Sequence, residues 1–356
     1  MSFDLSTPLI VFAAFGISFA LAPLVRAFAY RTGVVDEPTG GRKIHTSSTA
    51  LLGGMGLSVA IFVALAAAYR TADGIEIGHV QIVAFGAGIA ILLIGGILDD
   101  VFDLPPGIQF LFPLAASIAV VAGGSTISVI TNPIGGAPLS LEWTRWILGA
   151  WSVGIPSDLV AIAWLLIVTY AIKFLDGLDG LVAGITFIGG ALIAALAASP
   201  AYYQPVVAML ALAVGAAYLG FLPWNRTGSI FLGEAGSTIA GFSLGVLAII
   251  SGAKVATASA ALGVPLVDIV LVVFHRVTHG TSPFKGDSSH LHFRLVAAGF
   301  SSRAAVRFIW TIALAFGLAA LALQTKGKIF LLVLLTSAVI GISMYAKIKG
   351  RVSDPG

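Results

Sequence analysis

Residues His79 to Asp103 read HVQIVAFGAGIAILLIGGILDDVFD. From Val80 to Leu98 the stretch is apolar apart from Gln81 and its glycines, and it then ends on three carboxylates within five positions. A helix rises about 1.5 Å per residue, so an apolar run of this length crosses a hydrocarbon core roughly 30 Å thick. The stretch therefore predicts a membrane-spanning helix that delivers Asp99, Asp100 and Asp103 to one bilayer surface.

Comparable runs recur on both sides of it. Of 356 residues, 58% are hydrophobic and only 10% are charged, more apolar surface than a soluble domain of this size can bury. Eleven spans are expected, centred near Phe15, Val59, Leu92, Ala115, Leu166, Leu192, Leu212, Leu244, Val267, Ala313 and Leu334. Pro113 and Pro265 interrupt two of them and would reduce the total to ten. The expected fold is an all-α integral membrane protein of about 10–11 transmembrane helices, forming a single polytopic domain over residues 1–356. No Lys or Arg precedes the first apolar run, so that helix is expected to be retained rather than cleaved. Cysteine is absent, which excludes disulfides, thiolate metal sites and thiol nucleophiles. No basic run suggests nucleic acid as a partner.

Charge counting sets the sidedness. With eleven spans, thirteen Lys and Arg fall on one side against Arg70, Arg145, Lys254, Lys326 and Lys328 on the other, with Lys173 left inside a helix. The richer side is the cytoplasm by the positive-inside rule, so the N-terminus is periplasmic and the C-terminus cytoplasmic. Cytoplasmic loops are expected near residues 31–50, 99–107, 175–180, 223–235 and 276–305, and a periplasmic loop with a short hairpin near 124–156. The localisation that follows is the inner membrane of a bacterium. Acids and histidines had no part in the count, yet Asp36, Glu37, Asp99, Asp100, Asp103, Asp176, Asp179, Glu234 and Asp287 fall on the same inner side with every histidine but His79, as chemistry on a charged cytosolic substrate requires.

Five polar blocks stand there. Asp99-Asp100-Val101-Phe102-Asp103 places like charges together, which persists only where a cation, a basic partner or water offsets the repulsion. A solvated helix end is the plain alternative. Lys173-Phe174-Leu175-Asp176-Gly177-Leu178-Asp179-Gly180 makes a tight turn with carboxylates beside exposed amides, suited to a phosphate; a structural turn explains the glycines but not both aspartates. Pro223-Trp224-Asn225 through Phe231-Leu232-Gly233-Glu234-Ala235-Gly236-Ser237 puts an acid at a helix start, where a simple cap is the competing explanation. Arg276 to Leu295 carries Asp287 and His290-Leu291-His292 with basic neighbours, a set fit for a diphosphate and short of ligands for zinc. Arg42-Lys43-Ile44-His45 is a basic group that could also be an ordinary inner-face anchor. There is no GxxxxGK[ST] phosphate loop and no signature of the CDP-alcohol phosphotransferases.

Ordered along the chain, these blocks resemble the polyprenyl-phosphate N-acetylhexosamine-1-phosphate transferases of glycosyltransferase family 4, a superfamily that includes the muramoyl-pentapeptide transferase. The matching motifs are D-x-P-x-x-R-K-x-H (Asp36 to His45), DDxxD (Asp99 to Asp103), F-x-D-G-x-D-G-L (Phe174 to Leu181), F-x-G-x-x-G-S (Phe231 to Ser237) and G-x-S-P-F-x-x-D-x-x-H-x-H (Gly280 to His292). The last of these and RKxH look closer to the N-acetylglucosamine branch. The resemblance implies transfer of a hexosamine 1-phosphate from a UDP-sugar to undecaprenyl or another polyprenyl phosphate, with release of UMP, as the opening step of a cell-envelope polysaccharide. It implies Mg²⁺ or Mn²⁺ as cofactor, and Asp99, Asp100, Asp176 and Asp179 as catalytic groups. Arg42, Lys43, His45, Asp103, Lys173, Asn225, Arg276, Asp287, His290 and His292 would bind substrate, and Glu234, Asp176 and Asp100 would hold metal. The expected partners are the lipid phosphate, the UDP-sugar and the membrane, with a homodimer one open arrangement.

The chain also departs from the family pattern. Tyr170 and Lys173 stand where asparagines are expected, Glu234 replaces an aspartate, and the usual HxHH ends in Phe293. A lysine ammonium cannot ligate a hard cation. Three readings follow from this: Lys173 pairs with Glu234 or the diphosphate and replaces the metal charge, the chain is an inactive homologue that binds only lipid phosphate or nucleotide, or a metal shifts to Asp100, Asp176 and Glu234. Intramembrane Asp and Lys also mark ion-coupled transporters, but no internal repeat or mid-membrane polar path is visible.

Overall fold

The computed structural model describes residues 6–38, 48–72, 74, 76–132, 135–148, 151–252, 259, 262–280 and 290–353. Among them lie twelve helices: α1 (Ser6–Thr32), α2 (Gly53–Thr71), α3 (His79–Phe102), α4 (Pro106–Ala122), α5 (Ser157–Lys173), α6 (Leu181–Ala197), α7 (Pro205–Arg226), α8 (Gly233–Ile250), α9 (Gly263–Thr278), α10 (Leu291–Ala297), α11 (Ser302–Ala322) and α12 (Thr325–Ser353). Each expected span centre falls inside one of them, and α10 is the additional, short helix. By length and composition seven can cross a membrane, namely α1, α2, α3, α7, α8, α11 and α12, while α4 and α6 are apolar but shorter. The protein is a predominantly helical, multi-pass membrane protein.

The prolines do not break their helices. Pro265 is the third residue of α9, where an amide would have no intrahelical acceptor in any case. Pro113 sits inside α4, and Ser117 Oγ donates to its carbonyl at 2.7 Å.

Burial sorts the helices into a centre and a rim. In α8 every residue from Ala235 to Ile250 is buried, and it packs against α2, α3, α4, α5, α6 and α7. Its 18-residue apolar window is 89% buried, against 17% for α1 and 22% for α12. Close approach needs small side chains: a methyl on Gly96 of α3 would collide with the backbone of Ala235 in α8. Large apolar side chains such as Phe12, Val80, Val83, Phe274, Phe330 and Val333 point outward, as only lipid as solvent permits.

Among the described residues, the segment between α4 and α5 holds four strands in two antiparallel pairs. Counting from the N-terminus, β1 (Val35–Asp36) pairs with β2 (Thr49–Ala50), β3 (Val129–Ile130) with β4 (Leu139–Ser140), and β5 (Glu142–Leu148) with β6 (Trp151–Pro156). The expected outer hairpin is thus β5–β6, and its Trp143 and Trp146 are exposed, a placement typical of a membrane interface. At the opposite end, Phe231 N donates to Ala50 O at 2.8 Å while Gly53 N and Gly54 N donate to Phe231 O and Leu232 O at 3.2 and 2.8 Å. These bonds fasten the start of α2 to the start of α8.

Several expected inner loops are shorter than their sequence suggests. Helix α3 continues to Phe102 and α4 starts at Pro106, so residues 99–102 are helical. Likewise α7 runs to Arg226 and α9 includes Arg276. Polar side chains at the last turn can reach water without ending the helix, which is why composition placed these boundaries early.

Candidate active site

The C-terminal ends of α3, α5, α7 and α9 and the N-terminal ends of α8, α10 and α11 meet around one open cavity of about 780 Å³. Its lining includes Asp99, Asp100, Asp176, Asp179 and Glu234 together with Lys173, Arg226, Arg276, His290, Arg303 and Arg307. Side chains from blocks as far apart as Asp36 and Arg307 are therefore brought to one end of the bundle.

The two α3 acids are held differently. Asp100 Oδ1 accepts the Glu234 amide at 3.0 Å, so α3 caps the start of α8. Gly233 precedes that amide at φ +69, and a side chain there would be strained and would collide with Asp100 Oδ2. Asp99 Oδ1 accepts Leu104 N at 3.1 Å and Gln109 Nε2 at 2.8 Å. The other end of the Gln109 amide accepts Lys173 Nζ at 3.0 Å, and Lys173 Nζ lies 2.6 Å from Glu234 Oε1. Asp99, Gln109, Lys173 and Glu234 thus form one continuous polar chain across three helices and the start of a fourth.

The turn between α5 and α6 carries Asp176 and Asp179. Gly180 N donates to Asn225 Oδ1 at 2.7 Å, and Asn225 Nδ2 donates to Ile230 O at 3.2 Å, so Asn225 ties this turn to the segment before α8. Enclosure by protein pushes the Asp176 carboxyl up to about 7, helped by the charges of Glu234, Asp179 and Asp100. Its side chain is exposed toward the open cavity, where water offsets part of that push. Gly177 lies flat against the rings of His292 and Phe293.

On the α9 side, Asp268 accepts from His290 Nδ1 at 2.8 Å and from Leu291 N at 2.9 Å, fixing the start of α10. His292 is fully buried, and among the described residues neither ring nitrogen has a hydrogen-bond partner. Burial lowers its pKa to about 4, with the neighbouring His290 adding to the effect against Asp268.

Not every expected site residue reaches the cavity. Arg42, Lys43, His45 and Asp287 lie outside the described residues. Asp103, expected to bind substrate, instead ends α3 in the left-handed region at φ 51, its amide donating to Asp99 O at 2.8 Å. It is exposed and away from the cavity lining. His292, also expected to touch substrate, is packed behind the α5–α6 turn against Gly177. Asn225 lines the cavity while both ends of its amide are used to tie loops. The sequence reading missed Gln109 and Asp268, and counted Arg226, Arg303 and Arg307 only as inner-face charge. An amide or acid inside an apolar helix was the available signal for the first two.

The resemblance implies a divalent cation, and the donor set at this position is Lys173, Glu234, Asp100 and Asp176. Lys173 places an ammonium 2.6 Å from Glu234, and at 4 Å such a charge repels a divalent ion by about 8 kcal/mol at the effective dielectric of a protein surface. Among the described residues no group of three or more acidic or histidine side chains stands close enough to hold a metal ion, and Asp100, Asp176 and Glu234 are not such a group. The residues present do not fit that cofactor at this position.

Comparison with known proteins gives a consistent picture. The family model of glycosyl transferase family 4 matches residues 82–252. A probable undecaprenyl-phosphate N-acetylglucosaminyl 1-phosphate transferase of Bacillus subtilis (strain 168) is 30% identical over 341 residues, covering 94% of this chain and 89% of the relative. A decaprenyl-phosphate N-acetylglucosaminephosphotransferase of Mycolicibacterium smegmatis is 27% identical, covering 93% and 84%. An undecaprenyl-phosphate alpha-N-acetylglucosaminyl 1-phosphate transferase of Escherichia coli (strain K12) is 28% identical, covering 79% and 74%.

Proposed function

The chain belongs to glycosyl transferase family 4, and from that premise we propose that it moves N-acetylglucosamine 1-phosphate from UDP-N-acetylglucosamine to a polyprenyl phosphate in its own membrane. It is an enzyme of the glycosyl-1-phosphate transferase class. An oxygen of the lipid phosphate attacks the phosphorus that carries the sugar, the bond from that phosphorus to the bridging oxygen breaks, and UMP leaves with that oxygen. The product is a polyprenyl diphosphate sugar, the starting point for an envelope polysaccharide.

The observation that carries this reading is the cavity at one end of a lipid-embedded bundle, where six carboxylates meet five Lys and Arg side chains. Phosphoryl transfer asks for positioning and charge neutralisation more than for covalent help. Arg226, Arg276, Arg303 and Arg307 suit the diphosphate, whose paired oxygens match guanidinium donors. Asp99, at the foot of α3 with Gln109 and Lys173 beside it, suits the lipid phosphate; because a phosphate monoester is already largely ionised at neutral pH, its task is orientation more than proton removal. The bias of Lys and Arg supports a cavity on the cytoplasmic face of a bacterial inner membrane, where UDP-sugars are made. Nothing favours a transporter, since the cavity's ionisable groups gather at one end rather than along a path through the middle.

Purified protein in nanodiscs, given undecaprenyl phosphate and a panel of radiolabelled UDP-sugars, is expected to yield a lipid-soluble labelled product and UMP with UDP-N-acetylglucosamine. If no UDP-sugar in the panel releases UMP, the transferase reading is wrong.

A further inference from the structure

Lys173 stands where the resemblance leads one to expect an asparagine and Glu234 where it leads one to expect an aspartate, both oxygen-donor side chains, and here the two hold each other. The ammonium is 2.6 Å from Glu234 Oε1 and 3.0 Å from Gln109 Oε1, and it lies 5.5 Å from the centre of the Tyr170 ring. The pair is 15% and 16% exposed, withdrawn from bulk water yet part of the cavity lining. An ammonium has three donors, so Glu234 and Gln109 together leave one for an anion in the cavity. A carboxylate, an amide oxygen and an aromatic face surround the amine, so the positive charge is built into the protein rather than recruited from solution.

The two substitutions compensate each other. An Asn-to-Lys change alone would set a cation against a metal, and an Asp-to-Glu change alone would lengthen a ligand. Together the longer carboxylate reaches the amine, and the result is a closed ion pair. The four cavity arginines supply further positive charge that an anionic donor needs and that water-exposed lysines would supply less well.

We propose that in this chain the Lys173 ammonium, held in place by Glu234 and Gln109, is a fixed substitute for the divalent cation, so that donor binding and phosphoryl transfer proceed without an added metal ion. The proposal rests on the transferase reading above. Fixed cations are able to stabilise this chemistry, as arginines inserted into phosphoryl-transfer sites do elsewhere.

The test uses the full chain in nanodiscs with UDP-N-acetylglucosamine and undecaprenyl phosphate, after exhaustive treatment with EDTA, with and without added Mg²⁺. The expected result is UMP release in EDTA within about twofold of the rate in Mg²⁺, less than the 1.4 kcal/mol that a tenfold change would represent. The double variant Lys173→Asn, Glu234→Asp, which restores two oxygen donors, should be silent in EDTA and regain turnover with Mg²⁺. Calorimetric titration of the parent protein with UDP-N-acetylglucosamine supplies a readout independent of turnover, and its Kd should not change when Mg²⁺ replaces EDTA. A parent protein that loses more than about tenfold of its rate in EDTA and recovers it with Mg²⁺, or whose Kd tightens by that factor, overturns the proposal. Absence of UMP under both conditions overturns the transferase reading, and the proposal with it.

Discussion

Asp268, buried in α9, receives two hydrogen bonds from the start of α10, one from the ring of His290 at 2.8 Å and one from the amide of Leu291 at 2.9 Å. His290 lines the cavity and Asp268 does not, so the carboxylate acts on the site through the imidazole it orients. The Asp268→Ala variant should lose about 10- to 100-fold in kcat/KM for the UDP-sugar, the equivalent of about 1.5–3 kcal/mol for hydrogen bonds to a charged group. Asp268→Asn keeps an acceptor for Leu291 and should recover part of that loss. Steady-state UMP release checks both, and parent-like kinetics for Asp268→Ala would remove Asp268 from the site.

Gln109 joins Asp99 to Lys173 through the two ends of one amide. Leucine at this position keeps the volume and removes both bonds, leaving two half-buried charges without their bridge. We expect kcat to fall by about tenfold or more in Gln109→Leu, since an unsatisfied buried partner is worth about 1–3 kcal/mol, while thermal stability changes little. A large drop in Tm with unchanged kcat would show that Gln109 serves packing instead.

Gly177 has no room for a methyl group, because His292 and Phe293 fill that space. Gly177→Ala must displace α10 from the α5–α6 turn, at a cost of about 1–3 kcal/mol for overpacking. Gly16→Ala in α1, where nothing lies within 4 Å, is the control and should be neutral or stabilising. Thermal denaturation in detergent decides the matter: equal Tm values for the two variants would contradict the packing described.

His292 titrates with a pKa near 4 in the folded chain, below about 6.5 when unfolded. The folded state thus binds fewer protons than the unfolded state in this window. The stability from a neutral, buried His292 is complete above about pH 6.5 and declines as pH falls toward 4. Tm measured between pH 7 and 4.5 should fall more steeply for the parent than for His292→Leu, which has no proton to gain; identical slopes would argue against a buried neutral ring.

The chain has no cysteine, so single substitutions report sidedness directly. Ser140→Cys in β4 should react with a membrane-impermeant maleimide in spheroplasts, and Thr32→Cys at the end of α1 only after permeabilisation. The reverse pattern would place the cavity on the outer face.

Apolar runs such as Val80–Leu98 required lipid as solvent from their length alone, and each of the eleven expected span centres lies in a helix, although only seven of these helices are long and apolar enough to cross a membrane. The motif residues Asp99, Asp100, Asp176, Asp179, Glu234 and His290 were also legible, because adjacent carboxylates and paired histidines are conspicuous against an apolar background. Which of them share a cavity was decided only by packing. Asp103 and His292 carry the same chemistry as their neighbours, yet one turns away at a helix end and the other is sealed behind Gly177. Gln109 and Asp268, single polar residues in apolar helices, become meaningful only when α4 meets α5 and α9 meets α10. Sequence determines the solvent each segment needs, since that depends on composition and length. The pairing of Lys173 with Glu234 depends on how α5 and α8 approach each other, a long-range contact that no local pattern encodes.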